Sequence, residues 1–246
     1  MKKLFFTTLI ISGLSITAGH AAAAEGSASG ARPTAVSLFT AIAAGNVELT
    51  KALIEAGANI HATIYNNDRT PLHAATKDGN ADIVNVLLRA FARERAMIAE
   101  ETMPPSTITE AYQGVNARDD FQQTALHIAA YDGHTAIVQD LLNARAQTEV
   151  YDSTYKSTPL HHAAIQGHSH IVQLLLNARA NTKAVNQFGE TALQLAVKHD
   201  HFDVARRLVI AGAEVTVLNP AHLQKLVVHL ARASDLDAGT GGCGKL

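Results

Sequence analysis

Residues 158–176 read Thr-Pro-Leu-His-His-Ala-Ala-Ile-Gln-Gly-His-Ser-His-Ile-Val-Gln-Leu-Leu-Leu. Thr is a good residue to begin a helix, and Pro at the next position loses no hydrogen bond there. Gly167 then separates the first apolar segment from the second, because glycine readily adopts the left-handed conformation that ends a helix. The stretch therefore predicts two short helices joined by a tight turn.

The same pattern recurs along the chain. The segments Thr-Pro-Leu-His, Thr-Ala-Leu-His and Thr-Ala-Leu-Gln begin at residues 70, 124 and 191. Thr124 and Thr158 are 34 residues apart, and Thr158 and Thr191 are 33 apart. A degenerate copy begins near Val36, where Leu38 takes the Leu position. Since a two-helix unit cannot bury its apolar face alone, about five such units are expected to stack into one core.

These motifs resemble the ankyrin repeat, whose pattern is Thr-Pro-Leu-His, Ala-Ala, Gly-His, Ile-Val and Leu-Leu on a period of 33 residues. The resemblance covers about 200 of the 246 residues. It implies an all-α ankyrin repeat solenoid of about five helix-turn-helix repeats with β-hairpin loops. It also implies a monomer that binds a partner protein through the concave groove and needs no cofactor.

The spacing places the boundaries of the repeat domain at residues 35–233, with an insertion at residues 93–114. Thr70 and Thr124 are 54 residues apart, and we expect the extra residues to continue a helix up to Glu101. Pro220, followed by apolar residues three and four apart, predicts a capping helix at the end of the array. The Gly-rich residues 234–246 are expected to be a disordered tail.

The first residues are typical of a secretory signal peptide at residues 1–24. Lys2 and Lys3 precede an apolar stretch, and small residues lead up to Ala24, after which cleavage is expected, with Ala22 as the alternative site. Residues 25–34 then form a flexible leader. This interpretation predicts a periplasmic or secreted protein with no membrane span after cleavage. An uncleaved membrane anchor is the alternative.

Composition excludes several classes of function. Lys and Arg total 20 against 22 Asp and Glu, so the chain has no basic excess for binding nucleic acid. The sequence lacks the serine-hydrolase, zinc-protease and phosphate-loop motifs, which argues against an enzyme. Cys243 is the single cysteine and cannot form an internal disulfide.

Three successive repeats carry an aromatic residue three positions before the Thr. These residues are Phe121, Tyr155 and Phe188, and the preceding repeat has Asn67 there. Exposed aromatic residues inside a polar rim are typical of protein-binding surfaces. We expect Tyr131 and Ile165 to face the same groove. The charged rim is expected to comprise Asp119, Asp120, Asp132, Lys156 and Glu190. The alternative is that the rings only pack against one another.

The chain has 13 histidines, most of them at repeated positions. His73, His127 and His161 hold the repeat's own His position, where the resemblance implies a bond to the neighbouring loop. His134, His168 and His201 form a second column at the turn between helices. The alternative function is a metal- or haem-handling accessory protein that would use His168, His170 and His199.

The position after each second helix usually holds glycine in the left-handed conformation. Gly57 and Gly212 keep it, whereas Phe91, Arg145 and Arg179 replace it. A non-glycine residue in this conformation costs about 1 kcal/mol. We therefore expect that a glycine in place of Arg145 or Arg179 would stabilise the fold.

Overall fold

Eleven α-helices follow one another in the part of the chain that the computed structural model describes, which is residues 35–63, 68–99 and 114–239. Side chains are described over residues 37–63, 68–96 and 114–231, and all lie in one compact unit. The predicted signal peptide, the leader and Cys243 lie outside the described residues.

Ten of these helices form five pairs, each joined by a tight turn. The pairs are α1 (Ala35–Ala43) with α2 (Val47–Glu55), α3 (Pro71–Lys77) with α4 (Ala81–Ala99), α5 (Ala125–Asp132) with α6 (Thr135–Asn143), α7 (Pro159–Gln166) with α8 (Ser169–Asn177), and α9 (Ala192–Lys198) with α10 (Phe202–Ile210). A 3₁₀ turn, Val215–Val217, leads into the terminal helix α11 (Pro220–Gly239). The pairs confirm the predicted helix-turn-helix repeats.

The helices stack in two rows. First helices pack on first helices (α1, α3, α5, α7, α9), and second helices pack on second helices (α2, α4, α6, α8, α10). The repeated Leu and Ile positions fill the space between the rows. The side chains buried there include Leu72, Leu126, Leu160, Ile83 and Ile137. One continuous apolar core therefore runs through the array.

The second, third and fourth repeats are each bonded to the following loop through a buried histidine. The backbone N–H of Thr158 donates to Nδ1 of His161 over 3.1 Å, so the proton of the neutral ring is assigned to Nε2. Nε2 donates to the carbonyl of Ala184 in the next loop over 3.1 Å. His73 and His127 make the equivalent bonds. These contacts confirm the bond to the neighbouring loop that the resemblance implies.

The fifth repeat makes the same connection without a histidine. The side-chain oxygen of Gln194 accepts from the Thr191 N–H over 2.8 Å. Its amide nitrogen donates to the carbonyl of Val217, also over 2.8 Å. A glutamine thus reproduces both hydrogen bonds of the repeat histidine, but it cannot take up a proton.

The second histidine column packs against the turn glycines. Gly133 has a φ of 84°, and a Cβ added there would lie 2.7 Å from the His168 ring. Nε2 of His168 donates to the carbonyl of Tyr131, two residues before that glycine. His134 covers Gly79 and His201 covers Gly167 in the same manner. Glycine is therefore required at these turns both by its backbone conformation and by the ring above it.

The left-handed positions after the second helices are confirmed in two of three cases. Arg145 and Arg179 have φ angles of 65° and 64°. The prediction for Phe91 is wrong, because α4 continues past it to Ala99 and Phe91 is a buried helical residue. Its ring packs against His61, with 5.3 Å between the ring centroids.

The insertion and the C-terminal end are described only in part. The continuation of α4 as far as Ala99 agrees with the predicted extension, and residues 100–113 lie outside the described part. At the other end α11 runs to Gly239, beyond the boundary predicted at residue 233. Residues 231–238 contain no Gly or Pro, so nothing in the sequence ends the helix earlier. None of the described helices is long and apolar enough to cross a membrane.

Candidate partner-binding surface

Three successive hairpins carry the aromatic residues, and each hairpin is built around one buried side chain. Oδ1 of Asp119 accepts from the backbone N–H of Phe121 over 3.0 Å and from that of Gln123 over 2.9 Å. Asp152 holds Tyr155 and Ser157 in the same way, and Asn186 holds Phe188 and Glu190. The aromatic residue therefore lies at a loop tip whose backbone is fixed from below.

Backbone bonds join the three hairpins into a row. The N–H of Ser153 donates to the carbonyl of Phe121, and the N–H of Gln187 donates to that of Tyr155, each over 2.8 Å. The described residues contain no extended strand, and Val185 and Thr191 form one isolated β-bridge. The predicted β-hairpin loops are thus short turns closed by Asp and Asn side chains rather than by strand ladders.

The rings of this aromatic row are exposed. Phe121 is 46% exposed, Tyr155 51% and Phe188 66%. The rings of Tyr155 and Phe188 lie 6.1 Å apart between centroids, so these two contact each other while half or more of each stays accessible. Mutual packing therefore accounts for only part of their surface. Asn67, the equivalent residue of the preceding repeat, lies outside the described residues.

A cleft of about 250 Å³ adjoins the row and is lined by residues of the second, third and fourth repeats, with Asp152 and His162 among them. Its walls include Tyr131 from α5, Tyr155 and Arg69. Tyr131 is 47% exposed, in agreement with the expected position on this surface. Ile165 is half-buried on α7 and is not among the residues that line the cleft.

The charged rim differs from the sequence-based expectation at one residue. Asp119 is not a rim residue, because its side chain is buried beneath the hairpin, with Oδ2 3.5 Å from Nε of Arg69. Asp120 and Lys156 are exposed. Asp132 pairs with Lys77 over 3.0 Å, and Glu190 pairs with Lys198 over 2.7 Å. Two of the four remaining rim charges, Asp132 and Glu190, are therefore neutralised within the chain.

A buried Asp–His pair lies beneath the central hairpin, and the sequence analysis did not identify it. Nε2 of His162 lies 2.8 Å from Oδ2 of Asp152, and the Asp152 carboxylate has no exposed surface. Burial alone would raise the pKa of Asp152, but the hydrogen bonds from His162 and from the N–H groups of Tyr155 and Ser157 lower it to about 2. The sequence contains one signal for this pair, because a histidine stands at a position where the adjacent repeats have the apolar residues Ile128 and Leu195.

The histidines of the metal hypothesis are not gathered into a ligand set. His168 bonds the carbonyl of Tyr131, and His170 is exposed on α8. His199 stacks on His201 with 6.4 Å between the ring centroids. Within the ranges that the structure covers, no group of three or more His, Cys, Asp or Glu side chains could hold a metal ion.

Comparison with known proteins gives two findings. A family model described as ankyrin repeats (3 copies) matches residues 15–96, 38–152, 96–184 and 126–219. A probable E3 ubiquitin-protein ligase, XBOS32, from Oryza sativa subsp. japonica is 31% identical over 119 residues. That match covers 44% of this chain and 24% of the rice protein, so the chain spans about a quarter of the length of this relative.

Proposed function

Because this chain belongs to the ankyrin repeat family, we propose that it is a non-catalytic protein that binds a partner protein on its hairpins and first helices. Ankyrin repeats generally serve as modules of protein–protein interaction. The observation that carries the proposal is the aromatic row of Phe121, Tyr155 and Phe188, which is exposed on three neighbouring hairpins.

The surface has the physical properties of a prepared binding site. Its rings expose apolar area that a partner can cover, and such aromatic anchors dominate the energetics of many interfaces. The backbone beneath the rings is fixed by the Asp119, Asp152 and Asn186 bonds, so little conformational entropy is lost on binding. The internal pairs Lys77–Asp132 and Lys198–Glu190 leave few unpaired charges for the partner to desolvate.

The test uses peptides selected on the full chain from a random library displayed on phage. Combined replacement of Phe121, Tyr155 and Phe188 by Ala should weaken the selected peptides by at least thirtyfold, which corresponds to about 2 kcal/mol for a single anchor. The melting temperature should change little, because exposed rings contribute little to folding.

The matched control removes exposed apolar surface elsewhere. Ile210 is 76% exposed at the end of α10, in the other row of helices, and Ile210→Ala should leave peptide binding unchanged. Unchanged binding in the triple variant, together with a melting temperature lowered by many degrees, would show that the rings serve packing and not binding.

We also propose that the protein acts outside the cytoplasm, in the periplasm or after secretion. The support is the sequence of residues 1–24, with its basic start, apolar stretch and small residues before Glu25. N-terminal sequencing of the exported chain should begin at or near Glu25. Exported protein that retains Met1 would contradict the proposal.

A further inference from the structure

We propose that His162 and Asp152 position the aromatic row from below. This inference rests on the proposed function and names two further residues of the same site. It follows from the contacts of the pair, from a comparison with the other repeats of this chain, and from the place of the pair within the row of hairpins.

Asp152 joins the central hairpin to the helix beneath it. Oδ1 accepts the N–H groups of Tyr155 and Ser157, so it fixes the backbone on both sides of the hairpin tip. Oδ2 accepts from Nε2 of His162 on α7 over 2.8 Å. Both side chains are buried, so this charge-assisted bond is shielded from water. The backbone at Tyr155 is therefore tied to α7.

His162 also supports the second exposed tyrosine. The Tyr131 ring packs edge-on against the His162 ring, with 5.7 Å between centroids and 77° between planes. The His127 ring packs against the same imidazole at 5.6 Å. One buried ring thus connects α5, which carries Tyr131, with the hairpin that carries Tyr155.

Stability alone does not account for a histidine at this position. Nδ1 of His162 is buried and has no hydrogen-bond partner, which is unfavourable for folding. The adjacent repeats have the apolar side chains Ile128 and Leu195 there. What distinguishes His162 is its bond to Asp152, and the other two hairpins have no equivalent bond. Asp119 has Arg69 at 3.5 Å, and Asn186 donates to Glu190.

The pair lies under the middle hairpin of the row. The N–H of Ser153 bonds the hairpin of Phe121, and the carbonyl of Tyr155 accepts from Gln187 in the hairpin of Phe188. A displacement of the central hairpin is therefore passed to both neighbours. Loss of the pair should alter the spacing of all three rings, although none of them would be replaced.

The experiment compares His162→Leu with His162→Gln in the full chain. Leu is the residue of the next repeat, and Gln194 shows that a glutamine reproduces a histidine Nε2 donor in this fold. His162→Leu should weaken the phage-selected peptides about tenfold and speed amide exchange at Tyr155 and Ser157. The melting temperature should also fall, because the buried Asp152 carboxylate is left without its partner, so binding and exchange are measured well below it. His162→Gln should restore both binding and exchange protection.

A second variant tests the same bond from the other side. Asp152→Asn keeps an oxygen for the hairpin N–H groups, as Asn186 does, but removes the carboxylate that His162 binds. It should weaken the peptides to a similar degree, and adding His162→Leu should cause less than a twofold further loss. The inference would be overturned if the affinity losses of Asp152→Asn and His162→Leu were additive. It would also be overturned if His162→Leu bound the peptides like the wild type, or if His162→Gln did not restore binding.

Failure of the inference can be distinguished from failure of the proposed function. If the triple Ala variant binds the peptides normally, the aromatic row is not the binding surface and the proposed function fails. Amide exchange at Tyr155 and Ser157 needs no partner. Unchanged exchange in His162→Leu would show that the pair does not hold the hairpin, whatever the surface binds.

Discussion

At the scale of single residues, the buried repeat histidines act as neutral hydrogen-bonding groups. Burial lowers the pKa of His161 to about 4 and that of His127 to about 3, although the loop carbonyls that they bond act in the opposite direction. Burial likewise lowers the pKa of His73. Each ring therefore remains neutral in the folded state at a pH at which the unfolded chain is already protonated.

This difference predicts that stability falls as the solution is acidified. The unfolded chain takes up a proton near pH 6.5, whereas folded His161 does so only near pH 4, so stability is lost as the pH falls through this window. Between pH 7.5 and pH 5, His161 alone should cost about 2 kcal/mol. Asp152 acts at lower pH, since its pKa of about 2 stabilises the fold above pH 3.8 and the effect is lost below it.

His161→Gln should remove the contribution of this residue and flatten the curve of unfolding free energy against pH between 7.5 and 5. Both hydrogen bonds should be kept, because Gln194 makes them in the fifth repeat. Gln194→His is the reciprocal variant and should steepen the curve. Urea unfolding at several pH values measures both effects, and identical slopes in all three proteins would contradict the prediction.

The left-handed arginines give a second prediction at this scale. Arg145→Gly and Arg179→Gly should each raise the free energy of unfolding by about 0.5–1 kcal/mol, because glycine relieves the strain at φ near 65°. Gly212→Arg is the reverse control, since Gly212 holds the equivalent position at a φ of 88°. Urea unfolding that showed a loss of stability for either Arg variant would mean that the Arg side chain makes stabilising contacts.

The sequence predicted residues whose place follows from their position in the repeat. It did not predict residues whose place is determined by buried backbone N–H groups or by a partner on another element. The aromatic residues and the left-handed arginines could be placed by counting from the Thr of each repeat. Asp119 could not, because a charged residue is expected in water unless the structure reveals buried N–H groups that need an acceptor. His162 was missed because its partner, Asp152, lies ten residues away on another element.

At the scale of helices and turns, the second, third and fourth pairs are each closed by a glycine and by the histidine of the next repeat. The ring lies on the glycine, and its Nε2 bonds the end of the preceding first helix, as in His168 with Tyr131 and His201 with Ile165. The turn is thus part of the contact between repeats. The glycines could be predicted from the sequence, but the reason for the histidine column required the structure.

Gly133→Ala should therefore destabilise more than the backbone conformation alone explains. The added Cβ would lie 2.7 Å from the His168 ring, whereas a Cβ at Gly212 meets nothing within 4 Å. We expect a loss of about 2 kcal/mol or more for Gly133→Ala and about 1 kcal/mol for Gly212→Ala. In a His168→Ala background, the Gly133→Ala loss should fall to the Gly212→Ala value. Thermal and urea unfolding of Gly133→Ala, Gly212→Ala, His168→Ala and the Gly133→Ala/His168→Ala double variant measure these losses. If Gly133→Ala costs the same stability with and without the His168 ring, the steric contribution of that ring is refuted.

At the scale of the whole molecule, stability is the sum of the repeats and of the contacts between neighbours. Each described helix packs on its own partner and on adjacent repeats, and α11 covers the end of the stack through α9 and α10. Among the described side chains of α11, residues 220–231, Leu226 is the most buried, while Leu223 and Val227 are exposed. Over these residues the terminal helix is attached through a few side chains, which include Leu226, His229 and Leu230.

Leu226→Ala should consequently loosen the end of the array and leave its middle intact. Hydrogen exchange should lose protection in α11 while the amides of α5 and α6 keep theirs. Leu141→Ala, at a fully buried position in the middle of the array, should cost about 2–5 kcal/mol and lower protection throughout. Equal protection profiles for the two variants would show that the array unfolds as one cooperative unit.

The hydrogen bonds of the repeat histidines also determine how the molecule would respond to a stretching force. The bonds of His73, His127 and His161 each cross a single boundary, from one repeat to the loop of the next. Tension applied at the two ends must then pass through these boundaries one after another, as through springs in series. The compliances of the boundaries add, so the array yields by small rotations at each one before any repeat unfolds.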